Sequence, residues 1–388
     1  PLLDLPLNNS LAMKQGVGSV TFSRATTATY IDRYGVLKYT SIDEPRFEKD
    51  GLLIEGSSTN LLTYSEDVSN AVWVNIGTTE ATDTALAPDG VSLAYKIKED
   101  TSTGYHYIEN GHVISNASCT GSIFIKKAEW DYIKIDYGNA TDSYDYVSIN
   151  LIDNTVISAN TTYKIEALSD GWLRVSLQNT ITITVAYLRI LQCNATGVIT
   201  SDLGDNTSGI YIWGGQSEAL PFASSYIPTT TSAVTRTADV CSLTYNNNAN
   251  ISSSIHIQAK ANLNGIYNSA SYLNRQTIVS VGGANKCNIQ WQHNEDRLLN
   301  YYNGVITSYY TTKDTLLHTY GFSFDGSGTT NTYYDGILGD TYTGLSPATP
   351  STNIITIGSE DGYKFLYGHV SSIKIYDKAL TPTEIALA

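Results

Sequence analysis

The chain has 388 residues, enough for two or three domains that each bury a core. Only 15% of its residues are charged and the formal net charge is −14, a balance that excludes a phosphate-backbone ligand, which needs clustered Lys and Arg. No apolar run approaches the ~20 residues of a membrane helix, so neither a nucleic-acid partner nor membrane insertion is expected.

The opening residues, PLLDLPLNNS, have neither the basic region nor the apolar core of a signal peptide, and synthesis in a cytoplasm is expected. Leu2, Leu3, Leu5, Leu7 and Leu11 form an apolar patch too short for its own core, which demands a neighbour. Two extended pieces follow, joined at Asp32-Arg33-Tyr34-Gly35, and Asn60-Leu61-Leu62 leads into a capped turn. Residues 1–64 are therefore expected as an extended N-terminal attachment segment. From there short alternating runs dominate: SIFIK from Ser122, YIKIDY from Tyr132, YVSINLI from Tyr146, WLRVSL from Trp172, then Ile181 to Val185, Tyr187 to Leu191 and Gly209 to Trp213. Each has strand length and ends in turn chemistry such as Asp153-Asn154 or Asp170-Gly171, so residues 65–235 are expected as one antiparallel β-sandwich. Trp73, Trp172 and Trp213 are expected in its core.

The Thr/Ser-rich run from Thr229 to Thr235 marks a linker, with a boundary near Arg236. Beyond it come SSIHIQAKA, QTIVSVGG, CNIQWQH, RLLNYYNG and SYYTT, the strand Thr319 to Asp325, a Tyr-Tyr-Asp-Gly hairpin at 333–336 and the strand Ile354 to Gly358. The closing stretch alternates Ser371, Ile373 and Ile375 against Val370, Ser372 and Lys374. Thr381-Pro382-Thr383-Glu384 then reads as a helix start with Thr at the N-cap, Pro at N1 and Glu at N3. The predicted fold is all-β: two tandem antiparallel sandwiches, 65–235 and 236–388, behind the N-terminal segment.

Chemistry-bearing motifs are sparse. Cys119, Cys193, Cys241 and Cys287 form neither a CxxC pair nor a zinc spacing and read as small buried hydrophobes. Glu295-Asp296 and Glu360-Asp361 read as solvated turn carboxylates, Ser327 as an exposed hairpin serine, and His106, Glu109 and His112 as surface or edge-strand residues. Positive signals come from aromatic residues beside amides and carboxylates, the makeup of sites that stack on sugar C–H faces and bond their hydroxyls. One cluster is Trp130, Tyr132, Asp136, Tyr137, Asn139, Tyr144 and Tyr146; the other is Trp291, His293, Tyr301, Tyr302 and Tyr309. Half-buried strand packing and a tyrosine-rich oligomer interface remain the competing explanations. Asp325, Asp335, Asp340 and Asp361 sit in Gly-rich loops, where they serve either as turn-formers or as ligands of a calcium ion; no other cofactor is expected.

The stretch from Thr319 to Ile385 resembles the concanavalin A-like lectin/laminin-G-like sandwich. Three phrases, TFSRATTATYIDRYGVL, EPRFEKDGLLIEGSSTNLLTYSEDVSNAVW and SGIYIWGGQSEALPFASSYIPTTTSAVTRTADV, resemble a recurrent module of bacteriophage and prophage virion proteins of the tail-fibre or receptor-binding type. The module covers about Ser19 to Cys241, and its middle sandwich is similar to carbohydrate-binding-module jelly rolls. The resemblance implies a virion-surface protein that binds host polysaccharide or lipopolysaccharide, contacts other virion proteins through its N-terminal segment and forms homo-oligomers, in the usual fibre a trimer. The alternative within the same family is a structural collar, head-fibre or decoration protein that uses the folds as spacers. Glucanases of the lectin-like class resemble one another in an E-x-D-x-x-E strand motif absent here, so no enzyme activity and no catalytic residue are expected.

Overall fold

The computed structural model describes all residues except 82–84, 117, 140–142, 180–182, 265–274, 285, 312–313, 361 and 388, and excludes the side chains of 115, 116, 139, 143, 183, 184, 386 and 387. The molecule is almost entirely β with several antiparallel sheets, as expected. It divides into two compact units, one of Pro1–Tyr30, Thr40–Ser57 and Thr237–Ala388, the other of Ile31–Tyr39 and Ser58–Arg236.

In the first unit an eight-stranded sheet runs in the order Ile337–Tyr342, Thr330–Tyr334, His318–Phe324, Ile255–Ala261, Gly368–Tyr376, Gly51–Ile54 and Arg46–Glu48, with Leu3–Pro6 also paired to Gly368–Tyr376. A seven-stranded sheet runs Thr21–Ser23, Val240–Thr244, Ile354–Ile357, Arg275–Val281, Cys287–Gln292, Arg297–Tyr302 and Val305–Tyr310. Their inner faces share one core. Here the structure departs from the separate segment predicted for residues 1–64. Leu3, Leu5 and Leu7 are fully buried in this core, where each contributes about 1.5–3 kcal/mol, so the neighbour that covers the leucine patch is the chain's own last strand. A buried ion network ties the same segment down: Arg24 Nη1 lies 3.2 Å and Arg46 Nη2 2.5 Å from the Asp239 carboxylate, and Arg46 Nη1 lies 2.8 Å from Glu55.

The closing segment folds as its chemistry demands. Thr381 caps the Pro382–Leu387 helix, and the Glu384 carboxylate accepts the Thr381 N–H at 2.9 Å. Lys378 and the Thr381 bonds hold Glu384 down at about 2. Asp335 and Gly336 take positive φ, 49° and 79°, in the hairpin turn that a two-residue connection requires. One expectation fails locally: Val370 shares the core with Ile373 and Ile375 instead of facing away. The pairing with Ile255–Ala261 shifts register between Lys260 and Ala261, opposite Ser372 and Val370, and that bulge reverses the alternation.

The second unit packs two six-stranded sheets. One runs Tyr163–Ala167, Trp172–Asn179, Cys119–Lys127, Gly209–Glu218, Tyr95–Glu99 and Thr78–Ala81; the other runs Thr155–Ala159, Ser143–Asn150, Tyr132–Asn139, Ile183–Gln192, Tyr107–Asn116 and Trp73–Ile76. Ile133, Ile135, Val147, Ile149, Leu188 and Ile190 face the core between them. Trp73 lies in that core, while Trp172 and Trp213 fill a satellite cluster with Phe124 and Tyr226. All four cysteines are buried free thiols, and burial pushes Cys193 and Cys241 up to about 12.

Candidate functional site

Alternation along the Tyr132–Asn139 strand sends Ile133, Ile135 and Tyr137 inward and leaves Tyr132, Lys134 and Asp136 on the outer face. Register across four strands then assembles rows on that face. Tyr146 stands opposite Asp136, Asp136 opposite Arg189, and Arg189 opposite Glu109. The row on one side is Tyr144, Gly138, Tyr187 and Gly111; on the other it is Ser148, Lys134, Leu191 and Tyr107. Gly111 is needed where it stands, because a Cβ there would lie 2.7 Å from the Tyr187 ring.

Arg189 organises this face. Its Nε donates to Glu109 Oε2 at 2.5 Å, and its guanidinium carbon lies 4.2 Å from the centre of the Tyr144 ring and 5.2 Å from that of Tyr107. Lys134 Nζ sits 4.0 Å over the Tyr146 ring and 3.8 Å from Asp136 Oδ1. Cation–π contacts of this kind are worth about 0.5–2 kcal/mol each and fix ring orientation. Two polar atoms remain without a hydrogen bond, Asp136 Oδ1 and the Tyr144 hydroxyl. Burial pushes the Asp136 carboxyl up to about 6 against the opposing pull of Lys134 and Arg189, and burial raises the Tyr144 hydroxyl, with Glu109 and Asp136 adding to it. The face thus offers oriented, half-buried rings beside the Glu109–Arg189 pair, with Asp136 Oδ1 and the Tyr144 hydroxyl enclosed beneath them.

Of the first predicted cluster, Tyr132, Asp136, Tyr144 and Tyr146 share this face. Trp130 and Tyr137 do not: both are core residues, with Trp130 Nε1 bonded to Glu99 at 2.9 Å and the Tyr137 hydroxyl 2.6 Å from Ser217. Asn139 lies in the strand, but its side chain is outside the described residues. Tyr107, Glu109, Tyr187 and Arg189 were not predicted for the site. Of His106, Glu109 and His112, expected as surface or edge-strand residues, Glu109 lies half-buried on the outer face. His106 is buried with Nδ1 2.5 Å from Gly77 O, and the Tyr107–Asn116 strand that carries the other two is flanked on both sides.

The second predicted cluster comes apart. Trp291 packs edge-on against Tyr320, Tyr302 stacks on Phe324 at 4.5 Å, and His293 is buried in a short 3-10 turn. Tyr309 is half-buried, with its ring parallel to Tyr334 at 5.4 Å. Only Tyr301 faces away from the core; its hydroxyl meets Arg275, and Lys364 Nζ lies 5.8 Å from its ring. Beside it is a polar cluster that sequence reasoning missed. Glu360, expected as a solvated turn carboxylate, is buried and accepts from Asn288 at 2.7 Å, from Gln290 at 3.0 Å and from Lys364.

The loop aspartates each hold local backbone or side-chain groups. Asp325 accepts from the N–H groups of Ser327, Gly328 and Thr329, and these bonds outweigh partial burial to hold it at about 2. Ser327 is the exposed hairpin serine expected. Asp335 bonds His318 and the Thr319 N–H, and Asp340 bonds Ser308; Asp361 lies outside the described residues. Among the described residues no three His, Cys, Asp or Glu side chains converge as a metal set.

Residues 223–386 match the sequence profile of the concanavalin A-like lectin/glucanases superfamily. No curated protein matches the sequence. Solved structures similar to the chain include domain 4 of an extracellular arabinanase from Geobacillus stearothermophilus in complex with arabinotriose, at 14% identity over 42% of this chain and 80% of that one, TM-score 0.30. Trypanosoma rangeli sialidase matches at 10% identity over 76% of this chain and 60% of that one, TM-score 0.31. The binding domain of Paraclostridial Mosquitocidal Protein 1 matches at 13% identity over 39% and 42%, TM-score 0.27. The chain therefore spans less than two thirds of the latter two. The expectation that the chain is no enzyme is corrected: the superfamily matched by residues 223–386 takes in glucanases as well as lectins, so a missing strand motif does not exclude glycosidase chemistry, and no reaction is assigned.

Proposed function

We propose that the chain binds carbohydrate through the Tyr144–Arg189 face of its second unit. The observation that carries this is a row of oriented, half-buried rings beside charged side chains: Tyr144, Tyr146 and Tyr107 held by Arg189 and Lys134, with Glu109 paired to Arg189. Stacking supplies affinity for sugar C–H faces, and the charged side chains beside the rings bond hydroxyls. The lectin-like fold of residues 223–386 agrees with a glycan ligand.

The finer proposal rests on the virion-module phrases of residues 19–241: a bacteriophage surface appendage that adsorbs to host polysaccharide or lipopolysaccharide, joined to other virion proteins. Single shallow sites of this kind gain useful attachment through multivalency, which is why we propose homo-oligomers, a trimer in the fibre case. One observation favours the spacer alternative: Glu109–Arg189 and Lys134–Tyr146 already pair with each other, as on a surface that needs no ligand. Glycan-array binding decides. Binding by the intact chain that is lost in Tyr144→Ala and Arg189→Ala, with folding retained, supports the site; no binding at any glycan favours the spacer.

A further inference from the structure

A polar side chain on the outer face of a sheet meets solvent unless something covers it, and the eight-stranded sheet holds a covered histidine. Along Ile255–Ala261 the residues Ile255, Ile257 and Ala259 belong to the core, so alternation sends His256 to the opposite face. There it is 0% exposed. Its cover is the segment that leads into the Pro382–Leu387 helix. The Ala379 N–H donates at 2.7 Å to the hydroxyl of Ser254, two residues before His256, and Leu380 and Ile385 pack with Tyr333 and Tyr376. Those same two rings flank the imidazole, with centroids 5.9 Å and 6.0 Å away.

Neither ring nitrogen of His256 has a hydrogen bond, and the hydroxyl of Ser323, directly opposite on the neighbouring strand, makes none either. The charged and titratable side chains around the site are Lys260 on the same strand, Lys374 with its cross-strand partner Asp4, the Tyr333 and Tyr376 phenols, and Asp377, Lys378 and Glu384 of the covering segment. None of them bonds the imidazole. Glu384, paired with Lys378 and held at about 2, keeps its charge throughout the range in which a histidine titrates. Burial alone lowers His256 to about 4. A neutral ring fits this site, whereas an imidazolium there is a buried charge without an acceptor. The strand that carries it is laddered on both sides, while the covering segment is held to the sheet by the Ser254 bond and the packing of Leu380 and Ile385. Hydration of the charge therefore comes from the cover side.

We infer that residues 377–387 form an acid-released cover: protonation of His256 lifts the segment from the sheet and exposes Tyr333 and Tyr376. Every residue involved belongs to the first unit, independent of the Tyr144–Arg189 face. A ring that titrates at about 4 when covered and at roughly 6.5 when open favours the open form as pH falls, so the closed-to-open ratio drops roughly 100-fold between pH 7 and pH 4. Hydrogen exchange on the full chain, read as protection factors by mass spectrometry, tests this. Expected is a ~100-fold fall in protection of the peptide 380–387 between those pH values, with Ile255–Ala261 still protected, and no such fall in His256→Phe or His256→Gln. Leu380→Ser, which weakens the cover, should move the imidazole midpoint up toward roughly 6.5 in an NMR titration, because linkage is reciprocal. Protection of 380–387 that ignores pH, the same fall in a folded His256 variant, helix and sheet losing protection together, or an unmoved midpoint in Leu380→Ser would each overturn the inference.

Discussion

Two strands with similar sequence texture, YIKIDYGN at Tyr132–Asn139 and CNIQWQ at Cys287–Gln292, end in different circumstances. In the first, alternation separates core from a face that is half open, so Lys134 and Asp136 reach a site. In the second, every residue is buried, and the polar side chains Asn288 and Gln290 meet a carboxylate brought back from Glu360. Alternation names the two faces of a strand; it does not say whether the polar one meets solvent or a returning loop. Carboxylates behave accordingly: Glu360 is enclosed by donors, whereas Asp136 has one oxygen without any.

The largest test of that difference lies in the ion network beneath the first unit. Replacing Asp239 by Ala removes the carboxylate that Arg24 and Arg46 share, leaving Glu55 to pair with Arg46, and a loss of about 3 kcal/mol in urea unfolding is expected; a change under about 1 kcal/mol would show the network to be dispensable. Glu360→Ala removes the acceptor shared by Asn288, Gln290 and Lys364 and should destabilise by about 3 kcal/mol. Wild-type stability in that variant would mean that the second cluster is as open as the first.

Asp136 should respond in the opposite sense. Its carboxyl titrates at about 6 when folded against roughly 3.9 unfolded, so the folded state binds the proton more tightly and stability falls as pH rises from about 4 to about 6. Asp136→Asn is therefore expected to stabilise the protein by about 3 kcal/mol at pH 8 and to match the wild type at pH 3. Equal stability at both pH values would place the carboxylate in solvent. The smallest stability effect is predicted for Tyr146→Ala, under about 1 kcal/mol because the ring is half-buried, together with loss of glycan-array signal; unchanged binding would remove Tyr146 from the site.

Local order within elements was legible. Thr381 and Glu384 announce the helix start, Asp335-Gly336 the hairpin, and the alternation of YIKIDY from Tyr132 a strand. The wrong orientations of Tyr137, Trp291 and Tyr302 share one cause, since an aromatic ring beside polar neighbours looks the same on either face until its sheet acquires a partner. Arg189, Glu109 and Tyr107 were missed because nothing within their own strands distinguishes them; only pairing across 80 residues places Glu109 beside Arg189.

The sequence by itself determined the secondary structure and the class of fold, because period-two alternation and turn chemistry act over a few residues. The tertiary structure alone decided which polar face stayed open, where residues 1–30 and 40–57 found their cover, and which distant strands share a row. Those outcomes depend on strand order and register, which are set by burial summed over a whole sheet and leave no mark within any single strand.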